Sequence, residues 1–95
     1  MRTWISPAEL YAHAGHYLHQ VGYGKKSFLI KKRGKILAKL TPITASDEAL
    51  IVPSISKMRQ SLSSILGTVS LSRKSVVIMS RKRGLAMFIP DRRKA

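Results

Sequence analysis

Apolar and polar residues alternate at strand spacing in two parts of the chain. In the first part, Ser27–Ile30 and Ile36–Leu40 predict two short strands joined by the turn Lys31–Lys35. Gly34 enters positive φ without steric cost, as a tight hairpin turn requires. A similar stretch at Lys74–Ile89 predicts a second hairpin near the end of the chain.

Each hairpin is preceded by apolar residues at helical spacing. These residues are Leu10, Ala14, Tyr17, Leu18 and Val21 before the first hairpin, and Met58, Leu62, Ile65, Leu66 and Val69 before the second. Spacings of three and four residues place each set on one face of a helix. The pattern therefore predicts helix 1 from about Pro7 to Val21 and helix 2 from about Ile55 to Val69.

Residues at the helix starts support these bounds. Ser6 and Glu9, three residues apart, form a capping box, in which the serine side chain accepts a hydrogen bond from a free backbone amide. Pro7 between them suits the first position of a helix. For helix 2, either Ser54 or Ser56 supplies the cap. Both helices are therefore predicted to begin at a serine.

The second half of the chain repeats the first. A shift of 48 positions superposes the two halves without a gap, with 10 identities in 40 aligned positions. The identical pairs include Leu18 and Leu66, Arg33 and Arg81, Leu37-Ala38 and Leu85-Ala86, and Pro42 and Pro90. Gly34 and Gly84 are out of register by two, which predicts a longer second turn.

The order strand, helix, strand, strand is thus predicted twice. The first strands are Met1–Ser6, in which Trp4 and Ile5 face opposite ways, and Leu50–Val52. Because one unit alone would bury too little apolar surface, we expect the two units to share a core. The predicted fold is α+β, with two tandem β-α-β-β units that form an intramolecular pseudo-dimer, a shared antiparallel sheet and helices packed on it. Within this single domain, the first unit is 1–42 and the second unit is 51–90. Residues 43–50 form the connector between them, and residues 91–95 form a basic tail.

The charge of the chain restricts its partners. With 18 Lys and Arg against 4 Asp and Glu, the net charge is +14, and such a field attracts polyanions. No apolar run approaches the roughly 18 residues that span a bilayer. We therefore expect nucleic acid rather than a membrane as the partner, in the cytoplasm and associated with the nucleoid. Because the chain has no cysteine, disulfides and cysteine-ligated metals are excluded.

No catalytic, cofactor or metal site is expected. The four acidic residues, Glu9, Asp47, Glu48 and Asp91, offer no spaced pair for acid–base catalysis. Lys32–Lys35 lacks the upstream glycine and the Ser/Thr of a phosphate-binding loop. His13 and His16 share a polar stripe with Gln20, which is typical of a solvated helix face. We therefore expect the protein not to be an enzyme.

Two segments resemble the Phd/YefM (prevent-host-death) antitoxin family. Ile30–Pro42 is similar to the family's hairpin, with a basic Arg-Gly turn and an alanine-containing strand that ends near proline. Ser56–Leu66 is similar to its first helix, with an early arginine at Arg59. The family's N-terminal domain has the same β-α-β-β order, dimerises and binds operator DNA. The resemblance therefore implies a small double-stranded DNA-binding transcriptional regulator, with two units fused in one chain.

Two departures from the family bear on function. Tyr11 stands where Arg59 does in the second unit, which implies that the two DNA-facing halves are not equivalent. The family continues into an acidic segment that wraps a toxin, whereas only Asp91–Ala95 follows Pro90 here. We therefore expect the protein to act without a cognate toxin.

The resemblance places the DNA contacts on the hairpin turns and on the start of helix 2. The candidate residues are Arg59 and Lys57 in helix 2, Lys32, Arg33 and Lys35 in the first turn, and Arg81, Lys82 and Arg83 in the second. The guanidinium fork of Arg59 can bind guanine or phosphate, and Lys57 suits a phosphate. Four further cations precede the hairpin strands, at the end of each hairpin opposite its turn: Lys25, Lys26, Arg73 and Lys74. A solvent-exposed hairpin end explains these charges equally well.

Two alternatives remain open at this point. The net charge does not distinguish DNA from RNA, so an RNA-binding or ribosome-associated protein is the nearest alternative. The six aromatic residues lie mostly at predicted core positions, which argues against a single-strand stacking platform. The other alternative is an interaction module for an acidic or toxin-like protein.

Overall fold

The computed structural model describes residues 4–43, 49–81 and 83–90. Its elements are β1 (Trp4–Ile5), α1 (Pro7–Ala12), α2 (Ala14–Gly22), β2 (Phe28–Lys32), β3 (Lys35–Thr41), β4 (Ala49–Val52), α3 (Ile55–Gln60), α4 (Leu62–Ser72), β5 (Ser75–Ser80) and β6 (Arg83–Ile89). They form one six-stranded sheet with four helices packed on it, which confirms the α+β class. The predicted tail 91–95 and most of the connector lie outside the described residues.

The strand order in the sheet is β1-β2-β3-β6-β5-β4. The four inner strands, β2, β3, β6 and β5, pair antiparallel with one another. The edge strands pair in parallel, β1 with β2 and β4 with β5. The expectation of a wholly antiparallel sheet is therefore wrong at both edges. The helices between β1 and β2 carry the chain back to the end of the sheet where β1 began, so the two strands run in the same direction.

Several elements of the two halves are spaced by 48 positions, although the edge strands β1 and β4 are not. α3 and β6 begin and end 48 residues after α1 and β3. Each hairpin contains a register shift at matching places, after Ile30 and after Ile78. Where the hairpins meet, Leu40 of β3 pairs with Phe88 of β6, and these positions are themselves 48 apart. The β3–β6 pairing is therefore symmetrical about the Leu40–Phe88 pair.

The two hairpin turns have the same length. Lys32 pairs with Lys35 and Ser80 pairs with Arg83, which leaves two residues between the paired positions in both turns. The expectation of a longer second turn is wrong. Gly84 instead lies within β6, where an added Cβ would collide with the Cδ1 atom of Ile43. This glycine leaves room for the end of the Ile43 side chain.

Both predicted helices are interrupted near their middle. His13, at φ −128° and ψ 42°, separates α1 from α2, and Ser61, at φ −114° and ψ 18°, separates α3 from α4. The prediction of two continuous helices is therefore wrong. It follows from the apolar spacing, which continues across both interruptions. Spacing alone therefore does not reveal a change of backbone direction.

Serine caps start the first helix of each half as predicted. The Ser6 side-chain oxygen accepts a hydrogen bond of 3.1 Å from the Glu9 amide. The Ser54 side-chain oxygen accepts one of 3.1 Å from the Lys57 amide, so Ser54 rather than Ser56 is the cap of α3. Replacing such a cap by alanine typically costs about 1 kcal/mol.

The helices cover one face of the sheet and bury the core there. The largest fully buried side chains of this core are Phe88, Ile5, Leu10, Leu18, Ile30, Leu40, Met58, Ile78, Val21, Val69 and Val76, and Met87 is fully buried outside it. The predicted helix faces are confirmed, with Tyr17 only partly buried. Trp4 is 43% exposed and Ile5 only 1%, so these neighbours do face opposite ways. α2 lies against β6 and α4 against β3, so helices from one half cover strands from the other.

Candidate nucleic-acid interface

The first hairpin turn is a compact group of cations. Arg33 and Gly34 occupy its two central positions at φ 52° and 79°, the left-handed geometry of a type I′ turn. Lys32 and Lys35 flank them at the ends of β2 and β3, and all these side chains are exposed. Lys31, predicted to lie in the turn, belongs to β2. Lys32, Arg33 and Lys35 are therefore the cations that the turn presents to a partner.

The first turn lies beside the beginning of the helical layer. Ser6, the cap of α1, lines one surface depression together with Trp4 and the segment Lys31–Gly34. The Lys31 Nζ atom lies 5.3 Å from the centroid of the Trp4 ring, a cation–π distance. This contact fixes the base of the turn against β1.

The second turn matches the first in the residues that the structure describes. Arg81 has φ 50° and is exposed, and Arg83 is exposed at the start of β6. Lys82, the remaining candidate in this turn, lies outside the described residues. Both turns thus place an arginine in left-handed backbone conformation at their first central position.

The two turns lie at opposite ends of the sheet. From the Leu40–Phe88 pair, β3 runs five residues to Lys35 in one direction and β6 runs five residues to Arg83 in the other. At about 3.3 Å per residue this separates the turns by roughly 33 Å.

Arg59 lies between the two turns, in the helical layer. It belongs to the last turn of the short helix α3, not to the start of a long helix as predicted, because of the interruption at Ser61. Its guanidinium carbon lies 4.8 Å from the centroid of the Tyr11 ring. Both side chains are exposed, and a cation–π contact of this kind is worth about 0.5–1 kcal/mol. Tyr11 thereby holds the arginine while the edge of the guanidinium can still donate hydrogen bonds.

Arg59 and the first turn share one continuous surface. One surface depression lies beside Arg59 and Tyr11, and a second lies beside Lys32. The two share three lining residues, Pro7, Ser63 and Leu66. Lys57, exposed on α3, lies two positions from Arg59. Arg59 therefore lies on a surface that is continuous with the first turn, between that turn and the far end of the sheet, where Arg81 and Arg83 lie.

Few acidic groups oppose these cations. Glu9 is the one acid in the described part of the chain, and its Oε2 accepts a hydrogen bond of 3.4 Å from the Tyr17 hydroxyl. No charged side chain among the described residues is buried. The cations therefore remain accessible to an external polyanion.

Sequence reasoning missed the role of Tyr11, which was read only as a departure from the family. The sequence did contain a relation that pointed to this contact, because Tyr11 and Arg59 are separated by 48 positions, the repeat interval. Tyr11 contacts Arg59 as Leu40 pairs with Phe88, each residue with the one 48 positions away. That relation becomes usable only once the symmetrical β3–β6 pairing is known.

The three histidines, His13 between α1 and α2 and His16 and His19 in α2, form no larger cluster with other possible metal ligands among the described residues. The Nε2 atoms of His16 and Gln20 lie 3.2 Å apart on the exposed face of α2. Within residues 4–43, 49–81 and 83–90, no group of three or more His, Cys, Asp or Glu side chains is placed to hold a metal ion. No helix in this described part is long and apolar enough to cross a membrane.

Comparisons with protein-family models, with curated proteins and with solved structures gave no match for this chain. The charges and distances of the molecule itself are therefore what indicate a function. The separation of the two cationic turns and the position of Arg59 between them are the features with a direct physical consequence for binding.

Proposed function

We propose that this protein binds double-stranded DNA and acts as a small transcriptional regulator. The observation that carries the proposal is the separation of roughly 33 Å between two cationic hairpin turns, with Arg59 between them. One turn of B-DNA measures about 34–36 Å. Two turns at this separation can contact phosphates one helical repeat apart on the same side of a duplex.

The proposal includes a two-unit architecture in which each half is a strand, two helices and a hairpin, resembling a fused dimer of Phd/YefM-like domains. The symmetrical pairing about Leu40 and Phe88 supports it, as does the contact between Tyr11 and Arg59. A two-fold arrangement matches the approximate two-fold symmetry of a palindromic duplex site. Because Tyr11 replaces the second arginine, the two half-sites differ.

Backbone conformation supports a role for the turn cations. The non-glycine residues at positive φ in the described chain are Lys25, Arg33, Arg73 and Arg81. This conformation costs a non-glycine residue roughly 1–2 kcal/mol, and glycine or asparagine suits it better. Arginine at both turn positions is unfavourable for stability, as are Lys25 and Arg73 at theirs. Because Arg33 and Arg81 also occupy the exposed hairpin tips, a function of the side chain explains them better.

The binding of a duplex is expected to depend steeply on salt. Contacts to about 5–8 phosphates release counterions, which gives a log–log slope of affinity against salt near −5 to −7. Fluorescence anisotropy with a labelled duplex at increasing NaCl measures this slope, with a single-stranded RNA of equal length in parallel. A slope shallower than about −2 contradicts the proposal, and tighter binding of the RNA favours the RNA-binding alternative instead.

Arg59 and Lys32 are expected to contribute in different ways. Replacing Arg59 by Ala should cost about 1–3 kcal/mol of binding and reduce the preference among duplex sequences if the fork reads a base. Replacing Lys32 by Gln should weaken all duplexes equally and reduce the salt slope by about one. A selected site and a scrambled duplex, measured with both variants, separate these effects. Equal affinity of Arg59→Ala and the parent for every duplex removes Arg59 from the interface.

A further inference from the structure

A groove between α4 and β3 has features that duplex binding does not explain. It has a volume of about 340 Å³ and is lined by Pro7, Lys32, Leu37, Ser63, Leu66, Gly67, Ser70 and Leu71. Leu37 is only partly buried, and Leu71 is 85% exposed. Hydrocarbon side chains thus line a concave surface that begins beside the first hairpin turn.

The groove has a physical cause, which the other half of the chain reveals. There, Gly22 of α2 lies so close to Leu85 of β6 that an added Cβ would be 2.5 Å from the Leu85 Cδ1 atom. The matching residues 48 positions away are Ser70 and Leu37. Because serine carries a side chain where Gly22 has none, α4 cannot approach β3 as closely. The result is space above Leu37.

Gly67 keeps that space open. It matches His19 of α2, so a ring stands in one half where the other half has only hydrogen. A Cβ added at Gly67 would meet no atom within 4 Å. The groove can therefore accept a group of at least side-chain size beside Gly67.

The lining defines the chemical class of ligand. Lys32 is the one charged side chain among the lining residues, and the remaining polar groups are the hydroxyls of Ser63 and Ser70. Ligand sites combine apolar walls with a few polar groups that fix orientation, and 340 Å³ is near the lower end of their volumes. We propose that this groove binds a small carboxylic acid with one ring or a short acyl chain, whose carboxylate pairs with the Lys32 ammonium.

Binding of such an acid would regulate the proposed function, on which this part of the inference rests. Lys32 is a phosphate contact in the duplex complex, and one ammonium cannot neutralise a ligand carboxylate and a phosphate equally well. The acid therefore weakens duplex binding, and the duplex weakens acid binding by the same factor. The groove would make the protein a regulator that responds to a small acid.

Direct binding to the full chain, without DNA, tests the site first. Benzoate and its neutral analogue benzamide serve as probes. Their binding is measured from changes in the NMR chemical shifts of the protein's backbone amides at constant ionic strength. Benzoate is expected to bind with a dissociation constant of about 1 mM or lower, as suits so small a ligand, and at least fivefold more tightly than benzamide. Equal affinity for the two probes, or no binding, overturns the proposal.

Two variants and a matched control locate the probe. Gly67→Leu fills the groove with a residue that favours helix, so it should abolish benzoate binding and leave the fold intact. Gly15→Leu makes the same change on α2, where an added Cβ also meets no atom, and should leave benzoate binding unchanged. Lys32→Met keeps the hydrocarbon stem and should lower benzoate affinity to that of benzamide. Benzoate binding that survives Gly67→Leu overturns the site.

Duplex titrations then test the coupling. Saturating benzoate should lower duplex affinity of the parent at least threefold at constant ionic strength, and should have no effect on Gly67→Leu. Benzoate binding in the groove without any effect on duplex affinity overturns the regulatory role but supports the site. If the parent binds no duplex, the proposed function fails, and the probe titrations without DNA still decide whether the groove binds an acid.

Discussion

Replacing both turn arginines by asparagine, in the variant Arg33→Asn/Arg81→Asn, is expected to weaken duplex binding on the order of a hundredfold while stabilising the fold. Each substitution removes one phosphate contact, so the salt slope should also become shallower by about two. Asparagine tolerates the left-handed backbone at φ 52° and 50° better than arginine does. The free energy of unfolding should therefore rise by about 1 kcal/mol, measured by urea denaturation.

A matched control exists within the same chain. Lys25 and Arg73 both have φ 57° and are exposed, but they precede the hairpin strands instead of forming the turns. The variant Lys25→Asn/Arg73→Asn removes the same charge from the same backbone conformation. It should gain similar stability and lose much less duplex affinity. Equal losses in both double variants would show that only total charge matters, which contradicts an interface at the turns.

Replacing Gly22 by Ala is expected to lower the free energy of unfolding by about 2–3 kcal/mol. The new methyl group would lie 2.6 Å from the carbonyl oxygen of Leu85 as well as against its side chain. The side chain can rotate away, but the backbone oxygen moves only if β6 shifts. Because α2 and β6 come from different halves of the chain, the substitution strains the packing that joins them. The melting temperature should fall by roughly 10–20 °C.

The control for this substitution is Gly15→Ala on the same helix. No atom lies within 4 Å of a Cβ added at Gly15, so alanine there should be neutral or should gain up to about 1 kcal/mol from helix propensity. Thermal melts followed by circular dichroism compare the two variants. Similar melting temperatures for both would mean that α2 does not pack closely on β6.

Much of the fold is predictable because it depends on spacing between near neighbours in sequence. The faces that contain Leu10, Leu18, Met58 and Leu66 are buried as their helical spacing predicts. The serine at position 54 was predicted only as one of two possible caps, because both serines precede the same apolar residues. Selecting between them requires the backbone geometry, in which only one hydroxyl faces the amide of Lys57.

Predictions of turn length and strand direction were less successful, because both depend on what lies elsewhere in the fold. Gly84 was assigned to the second turn, since a glycine after a basic run usually marks one. In the structure it lies under Ile43, which is 41 residues earlier in the chain. The parallel pairing of the edge strands likewise follows from the path of the helices, which local pattern does not contain.

For the candidate site, the sequence by itself determined which residues are cationic and that they recur at an interval of 48, because composition and repeat are properties of the chain alone. It also determined that Gly34 could form a tight turn. Only the tertiary structure decided that the two turns lie at opposite ends of one sheet, that Arg59 stacks on Tyr11 between them, and that α4 leaves a groove above Leu37. These relations join residues distant in sequence, and they are fixed by strand pairing and by how closely each helix can approach the sheet.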